Sequence, residues 1–300
     1  MDDGGYVMAG FSLLLMVPAM ILALMILSID DSSVERSADR SLSESMTGAL
    51  WDIRDSIPVI TREVLNGTAQ EAINGTLPPD LDARARVRAG VQGRIDRLCA
   101  VHRNMNLSCR VNSVEGATDD PFCIEVNSTV DIRAGKIHHT ENISVRVPVE
   151  DLPDPLPFRV LGRLQHNETS IEYGRSLMEY LSSGNREAYD GASGPFLIRR
   201  CPYEPYTIHG SSGVLYACLL NGYYHESHDG SCYLCRLEGK TSCPHLGLET
   251  FIIPSGNFEE APVSVDHVLF TTAYTGEPHN GSGFIIYLDG AHRKKYGVIQ

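Results

Sequence analysis

Positions 6–29 (YVMAGFSLLLMVPAMILALMILSI) are apolar without a single charge. A helix of that length reaches across the roughly 30 Å hydrocarbon core of a bilayer. The pattern predicts a retained transmembrane helix over 6–29, because the leader MDD carries no Lys or Arg and no small-x-small cleavage site follows the run. Beyond it, Val34, Ala38, Leu42, Met46, Leu50, Ile53, Ile57, Ile60 and Val64 recur every three or four residues. That period marks one helical face and predicts an amphipathic stalk over 30–76. Pro18 and Pro58 can each kink such a rod, and a boundary near Ile57 is an equally good reading.

A Leu-Pro-Pro-Asp break at 77–80 opens a domain expected over 77–152. Asp80 or Asp82 can cap a helix with Val87, Val91, Ile95 and Leu98 on one face, ending near Cys99. Period-two alternation over 107–111, 122–132 and 142–147 then predicts an antiparallel meander. Its parity puts Cys109 inward and both Cys123 and Asn127 outward, so Cys99 is expected to bridge Cys109.

The prolines at 153, 155 and 157 mark a second boundary, and 153–300 is expected to form a cysteine-rich domain. A helix is predicted over 171–181, with strands over 250–253, 268–274 and 283–288. The fold class is therefore α+β: a long N-terminal transmembrane and stalk helix, an antiparallel β-sheet subdomain, and a Cys-rich α+β subdomain.

A net charge of −13 and only four lysines leave no basic stripe to neutralise phosphates, which argues against nucleic acid as a partner. Sequons at Asn66, Asn74, Asn106, Asn127, Asn142, Asn167 and Asn280 predict a glycosylated exterior. Eight cysteines, an even number, also suit an oxidising compartment. Residues 30–300 are thus expected outside a cell membrane crossed once, although Arg36 and Arg40 on that side dissent under the positive-inside tendency.

The segment around Gly10 and Phe11, with Ser-Leu-Leu-Leu-Met-Val-Pro following Phe11, resembles the class III signal of type IV pilin-like proteins, closest to the TadE/TadG-like and archaeal pilin-like group. The resemblance covers about the first fifty residues. It implies a 1–10 leader cut between Gly10 and Phe11, and assembly with other pilin-like subunits through the N-terminal helix. Leu15 stands where major pilins carry a helix glutamate, and the leader is acidic, which is more like a minor component or a TadG-like protein. A plain single-pass anchor in the lipid bilayer accounts for the same apolar run.

For cofactors, none is the first expectation. Cys99, Cys109, Cys123, Cys201, Cys218, Cys232, Cys235 and Cys243 are disulfide candidates, divided three and five between the domains, so full pairing requires a cross-link with Cys123 as first candidate. The alternative is structural zinc on Cys232, Cys235, Cys243 and His245: a two-residue gap lets two thiolates grip one tetrahedral ion. His225 and His228 lie upstream as spare ligands. The Asp289, His292 and Arg293 group reads as solvated charge near a terminus, and His138-His139 as a hairpin turn.

No nucleophile elbow, phosphate loop or helical His-Glu-x-x-His motif is present. The chain is therefore expected to be a non-enzymatic, extracellular, pilin-like structural protein. A single-pass anchored receptor or adhesin that binds a wall polymer or solute is the alternative, with Tyr203, Tyr206, Tyr216, Tyr223, Tyr224 and Tyr233 as the material of an aromatic site. A zinc hydrolase stands behind both, since the spacing specifies neither an open metal position nor a general base.

Overall fold

A computed structural model describes residues 4–181, 189–210, 213–254, 263–271, 277–281 and 284–298. For 4–13, 15, 27–36, 38, 277–281, 284–285 and 287 it describes the backbone alone.

Helix α1 (Gly4–Ile73) is continuous through Pro18 and Pro58, so there is no boundary at Ile57. The expected membrane crossing is overturned: among the described residues no helix is long and apolar enough to cross a membrane. Apolar side chains are described over 14–26, which spans about 20 Å of helix against a core of about 30 Å. The rest of the expected span, together with the Gly10 and Phe11 cleavage position, lies outside the described side chains. Nor do residues 30–76 make a free stalk. Met46, Ala49, Ile53, Ile57, Leu65 and Ala69 are buried in the main core, which makes the end of α1 a structural wall of the first domain.

The packing partner is α2 (Ala83–Cys99), capped as expected by Asp82, whose carboxylate accepts from Ala85 N at 2.9 Å. Gly90 lets the two helices close up, since a Cβ there would press on Val64 at 2.8 Å. Both helices cover a meander of β1 (Asn106–Gly116), β2 (Cys123–Ala134) and β3 (Ile137–Pro148), paired in the order β1-β2-β3. Ile124, Val126, Val130 and Ile132 alternate inward as their period requires. The strands exceed the expected runs, and a register shift lies between Val111 and Ser113.

The second half begins with α3 (Leu156–Leu161) and a small sheet of β4 (Gln165–His166), β5 (Ser170–Glu172) and β6 (Ser193–Pro195). The expected helix over 171–181 is shorter, α4 (Gly174–Tyr180), because Ile171 pairs with Gly194 in the sheet. A 3-10 turn (Tyr206–Gly210) and α5 (Val214–Asn221) lead into β7 (Tyr224–Ser227), α6 (Tyr233–Leu237) and β8 (Gly247–Ile252). Then come β9 (Val263–Val265), α7 (Asp266–Leu269), β10 (Glu277–Gly281), β11 (Phe284–Leu288) and α8 (Gly290–Lys295).

The order β10-β11-β9-β8-β7 is antiparallel except for the parallel β11/β9 pair. Strand β8 is buried at every position. Of the strand expected over 268–274, residues 268–270 belong instead to α7 and its cap, where Phe270 N donates to Asp266 O at 2.9 Å and closes a helical turn, and 272–274 lie outside the described residues.

The expected boundary at 152/153 is not a gap in packing. Cys232, Tyr233, Leu234, Cys235 and Leu237 share the core of the first domain. Across the join, Ala83 N donates to Glu238 Oε1 at 3.1 Å and Arg159 Nη2 donates to Pro78 O at 2.8 Å.

Candidate metal centres

Three groups of buried or half-buried side chains converge so closely that each could hold a metal ion. The first is the set read from the sequence. Cys232 caps α6 and Cys235 lies one turn on, while Cys243 N donates to Gly230 O and brings the third thiol back. His245 Nδ1 is 3.8 Å from Cys232 Sγ and 3.9 Å from Cys235 Sγ, and Cys232 N donates to Cys243 Sγ at 3.3 Å. The thiols crowd one another: Cys243 is driven well below the usual thiol range because Cys232 and Cys235 donate to it, and Cys232 is pushed up. Arg84 reaches over from α2, 3.9 Å from Cys235 Sγ and 3.4 Å from His245 Nε2. Burial opposes its charge, but Glu115 and Cys235 raise its pKa beyond the ordinary value.

The second group joins Cys201, His209 from the 3-10 turn, Cys218 from α5 and His225 from β7, all buried. Its separations are Cys201 Sγ to Cys218 Sγ 3.8 Å, Cys201 Sγ to His209 Nε2 3.4 Å, Cys218 Sγ to His225 Nε2 3.1 Å and His209 Nε2 to His225 Nε2 3.3 Å. A tetrahedral zinc with ordinary Zn–S and Zn–N bonds requires edges of about 3.3–3.8 Å. His209 Nδ1 donates to Tyr206 O at 2.7 Å, which leaves the Nε2 lone pair free for the group. Cys218 donating to Cys201 lowers the Cys201 pKa and raises its own. His225 was read as a spare ligand upstream of the Cys232 set. Strand β7 aims it at Cys218 instead, and His228, three residues along, is exposed.

The third group is Glu249 at the centre of β8, His267 on α7 and His292 on α8. Glu249 Oε2 lies 3.0 Å from His267 Nε2 and 3.2 Å from His292 Nε2, and the two nitrogens are 3.2 Å apart. His292 Nδ1 is 2.8 Å from Asp289 Oδ1, while Lys295 Nζ and Tyr296 Oη hold Glu249 Oε1 at 2.7 and 2.5 Å. Burial alone would raise the Glu249 pKa, but Lys295 and the two histidines carry it well below the carboxylate range. His292 was expected in solvent and is buried, because α8 folds back over β8.

All eight cysteines are unbridged. Cys109 lies inward as expected, and Cys99 and Cys109 are close enough for each to affect the other's titration. The Cys123 thiol donates to Asp120 Oδ2 at 3.4 Å and meets no thiol of the second half. Asn66, Asn74, Asn106, Asn142 and Asn167 are exposed, Asn127 is half-buried with its amide on Ser113 and Glu125, and the Asn280 side chain lies outside the described residues. His138 and His139 are exposed in β3, beyond the turn. Tyr224 and Tyr233 are core residues whose hydroxyls donate to Asp154 and to Pro153 O, so they line no aromatic site.

Sequence reasoning missed His209, Glu249, His267 and His292. The one available signal was the alternation of Cys201, His209, Cys218 and His225 at intervals of seven to nine residues. No family model matches the chain, and no curated protein and no solved structure matches it either.

Proposed function

We propose that this chain is a zinc-braced structural protein in which the first two groups hold zinc and the cysteines serve as ligands rather than disulfides. The observation that carries this reading is the close buried set of Cys201, His209, Cys218 and His225, whose ligand atoms all lie within 4.8 Å of one another, with four neighbouring separations of 3.1–3.8 Å.

Charge supports it independently. Two thiolates and two neutral imidazoles around Zn²⁺ sum to zero, which suits a fully buried site, since an unbalanced charge there is costly. Three thiolates and one imidazole around Zn²⁺ leave one negative charge, and at that group the Arg84 guanidinium lies against Cys235 and His245. The two ions would fix the turn, α5, β7 and α6, which are too short to hold their shape by helix or sheet formation alone.

The test is elemental analysis with thiol titration of the intact protein. Zinc bound to the chain, with its thiols shielded from alkylation until a chelator is added, supports the reading. Cysteines already oxidised in pairs, with no metal, sink it.

A second reading concerns what the braced body is for. Leu14, Met16, Met20, Ile21 and Leu24 are exposed on α1, while the far end of the same helix is built into the body. An apolar helix surface of this kind suits packing against copies of itself in a pilin-like assembly. Sedimentation of the full chain beside a Leu22→Glu, Met25→Glu variant tests it: assembly lost in the variant supports the reading, and equal assembly of both rejects it.

A further inference from the structure

The Glu249, His267 and His292 group has no thiolate, and its chemistry differs from that of the two cysteine groups. Its atoms admit two states: a His292 imidazolium donating to Glu249, or neutral imidazoles arranged as ligands of an ion. His292 Nδ1 faces Asp289 Oδ1 at 2.8 Å, so that nitrogen carries a proton. In a neutral imidazole the Nε2 is then a bare lone pair, yet it lies 3.2 Å from a carboxylate oxygen of Glu249, which is also an acceptor. It lies equally close to His267 Nε2. With both imidazoles neutral and their Nε2 atoms unprotonated, three electron-rich atoms form a triangle with sides of 3.0–3.2 Å inside the protein.

A divalent ion bound to all three turns each repulsion into a bond. Two His and one carboxylate are a common donor set for such an ion. The second layer is complete as well: Asp289 fixes the tautomer and ring orientation of His292, and Lys295 with Tyr296 occupies Glu249 Oε1 so that Oε2 is the ligating atom.

We propose that Glu249, His267 and His292 form a third metal site, one that binds a divalent transition ion and leaves a fourth position for an anionic oxygen ligand, hydroxide in the resting state. No fourth His, Cys, Asp or Glu joins the group among the described residues. Charge selects the ligand. The ion contributes two positive charges and Lys295 one, against one negative charge each from Glu249 and Asp289, so the site carries a net positive charge that an anion neutralises. A three-ligand site of this kind differs from the closed four-ligand sites beside it, in which the protein supplies every donor. It supplies the open metal position that the sequence spacing left unspecified.

This inference stands apart from the structural-zinc reading, because its ligands include no cysteine. The experiment uses the full chain loaded with Co²⁺, with metal content measured by elemental analysis and the visible spectrum recorded with and without azide. The expected result is three ions per chain, falling to two in His267→Ala and in Glu249→Gln, with the cobalt–thiolate bands unchanged in both variants. Azide is expected to shift the weak non-thiolate bands of the wild type only. Two ions per chain in the wild type would overturn the third site and identify His292 as an imidazolium. Three ions with no response to azide would overturn the open position. Loss of all thiolate bands in a wild type that still binds one ion would defeat the structural-zinc reading and leave this one intact.

Discussion

His225 and Glu249 stand directly opposite each other across β7 and β8, both fully buried, and each serves a different ligand group. Directly opposed residues share one face of a sheet. Tyr296 keeps the two groups apart: its ring lies 5.1 Å from the His225 ring, and its hydroxyl donates to Glu249 Oε1. The C-terminal segment is therefore part of both groups, although it supplies only His292 as a possible ligand.

That arrangement makes Gly297 sensitive. It has φ +65°, and a Cβ there would overlap the carbonyl oxygen of Thr207, in the turn that carries His209. Gly297→Ala costs about 1–2 kcal/mol in backbone conformation alone. It is expected to displace His209 and lower zinc occupancy at the Cys201 group, while leaving the Cys232 group loaded. Zinc content and the cobalt–thiolate absorption of the variant check this.

Arg84 is the charge partner of the Cys232 group. Arg84→Met keeps much of the bulk and removes the cation, and loss of such an outer partner costs roughly 10–100-fold in metal affinity. Competition with a chromophoric chelator is expected to show one zinc released more readily than in the wild type, with the second unchanged.

Arg236 is the costliest single charge to remove. It lies fully buried between Asp154 and Asp266, and its Nη1 donates to Leu248 O at 3.1 Å. Arg236→Met leaves two carboxylates buried without a cation, a loss of about 3–5 kcal/mol. Arg40→Ala removes an exposed pair with Glu44, one turn along α1, and is expected to change stability by less than about 0.5 kcal/mol. Urea unfolding of both variants provides the comparison.

Asp120 gives an acid-dependent contribution. Burial works to raise its pKa, but both carboxylate oxygens accept from Arg200 at 2.7 Å and one accepts from Phe122 N, and together these hold it below the usual value. A depressed carboxylate stabilises the fold above its unfolded pKa, near 3.9, and that stability is lost as pH falls through the lower folded value. Asp120→Asn is therefore expected to be less stable than wild type at neutral pH, with the gap closing below about pH 4. Melting temperatures measured across that range test the sign.

The first domain was legible because its signals are local. Asp82 caps α2 within three residues, and the alternation from Ile124 to Ile132 states which face of β2 is inside. The Cys232 group was legible for the same reason, since its ligands span only fourteen residues. The other two groups are assembled by topology. His225 and Glu249 meet because β7 pairs with β8, and His267 and His292 arrive on short helices after β9 and β11. None of these contacts leaves a periodic trace, and β8, buried on both faces, hides Glu249 in a strand whose only other polar side chain is Thr250. The period from Val34 to Val64 marked a real helical face, which α1 carries, but the segment read as a stalk is a wall of the first domain. An amphipathic face reports that something covers it, and here the cover is the protein's own meander.

The most direct measurement of the central claim is the mass and metal content of the intact, unreduced chain under native and denaturing conditions. The account predicts bound zinc in the native spectrum and a denatured mass with every cysteine in the thiol form. A denatured mass lower by eight hydrogens, with no metal in the native protein, would mean four disulfides and contradict it.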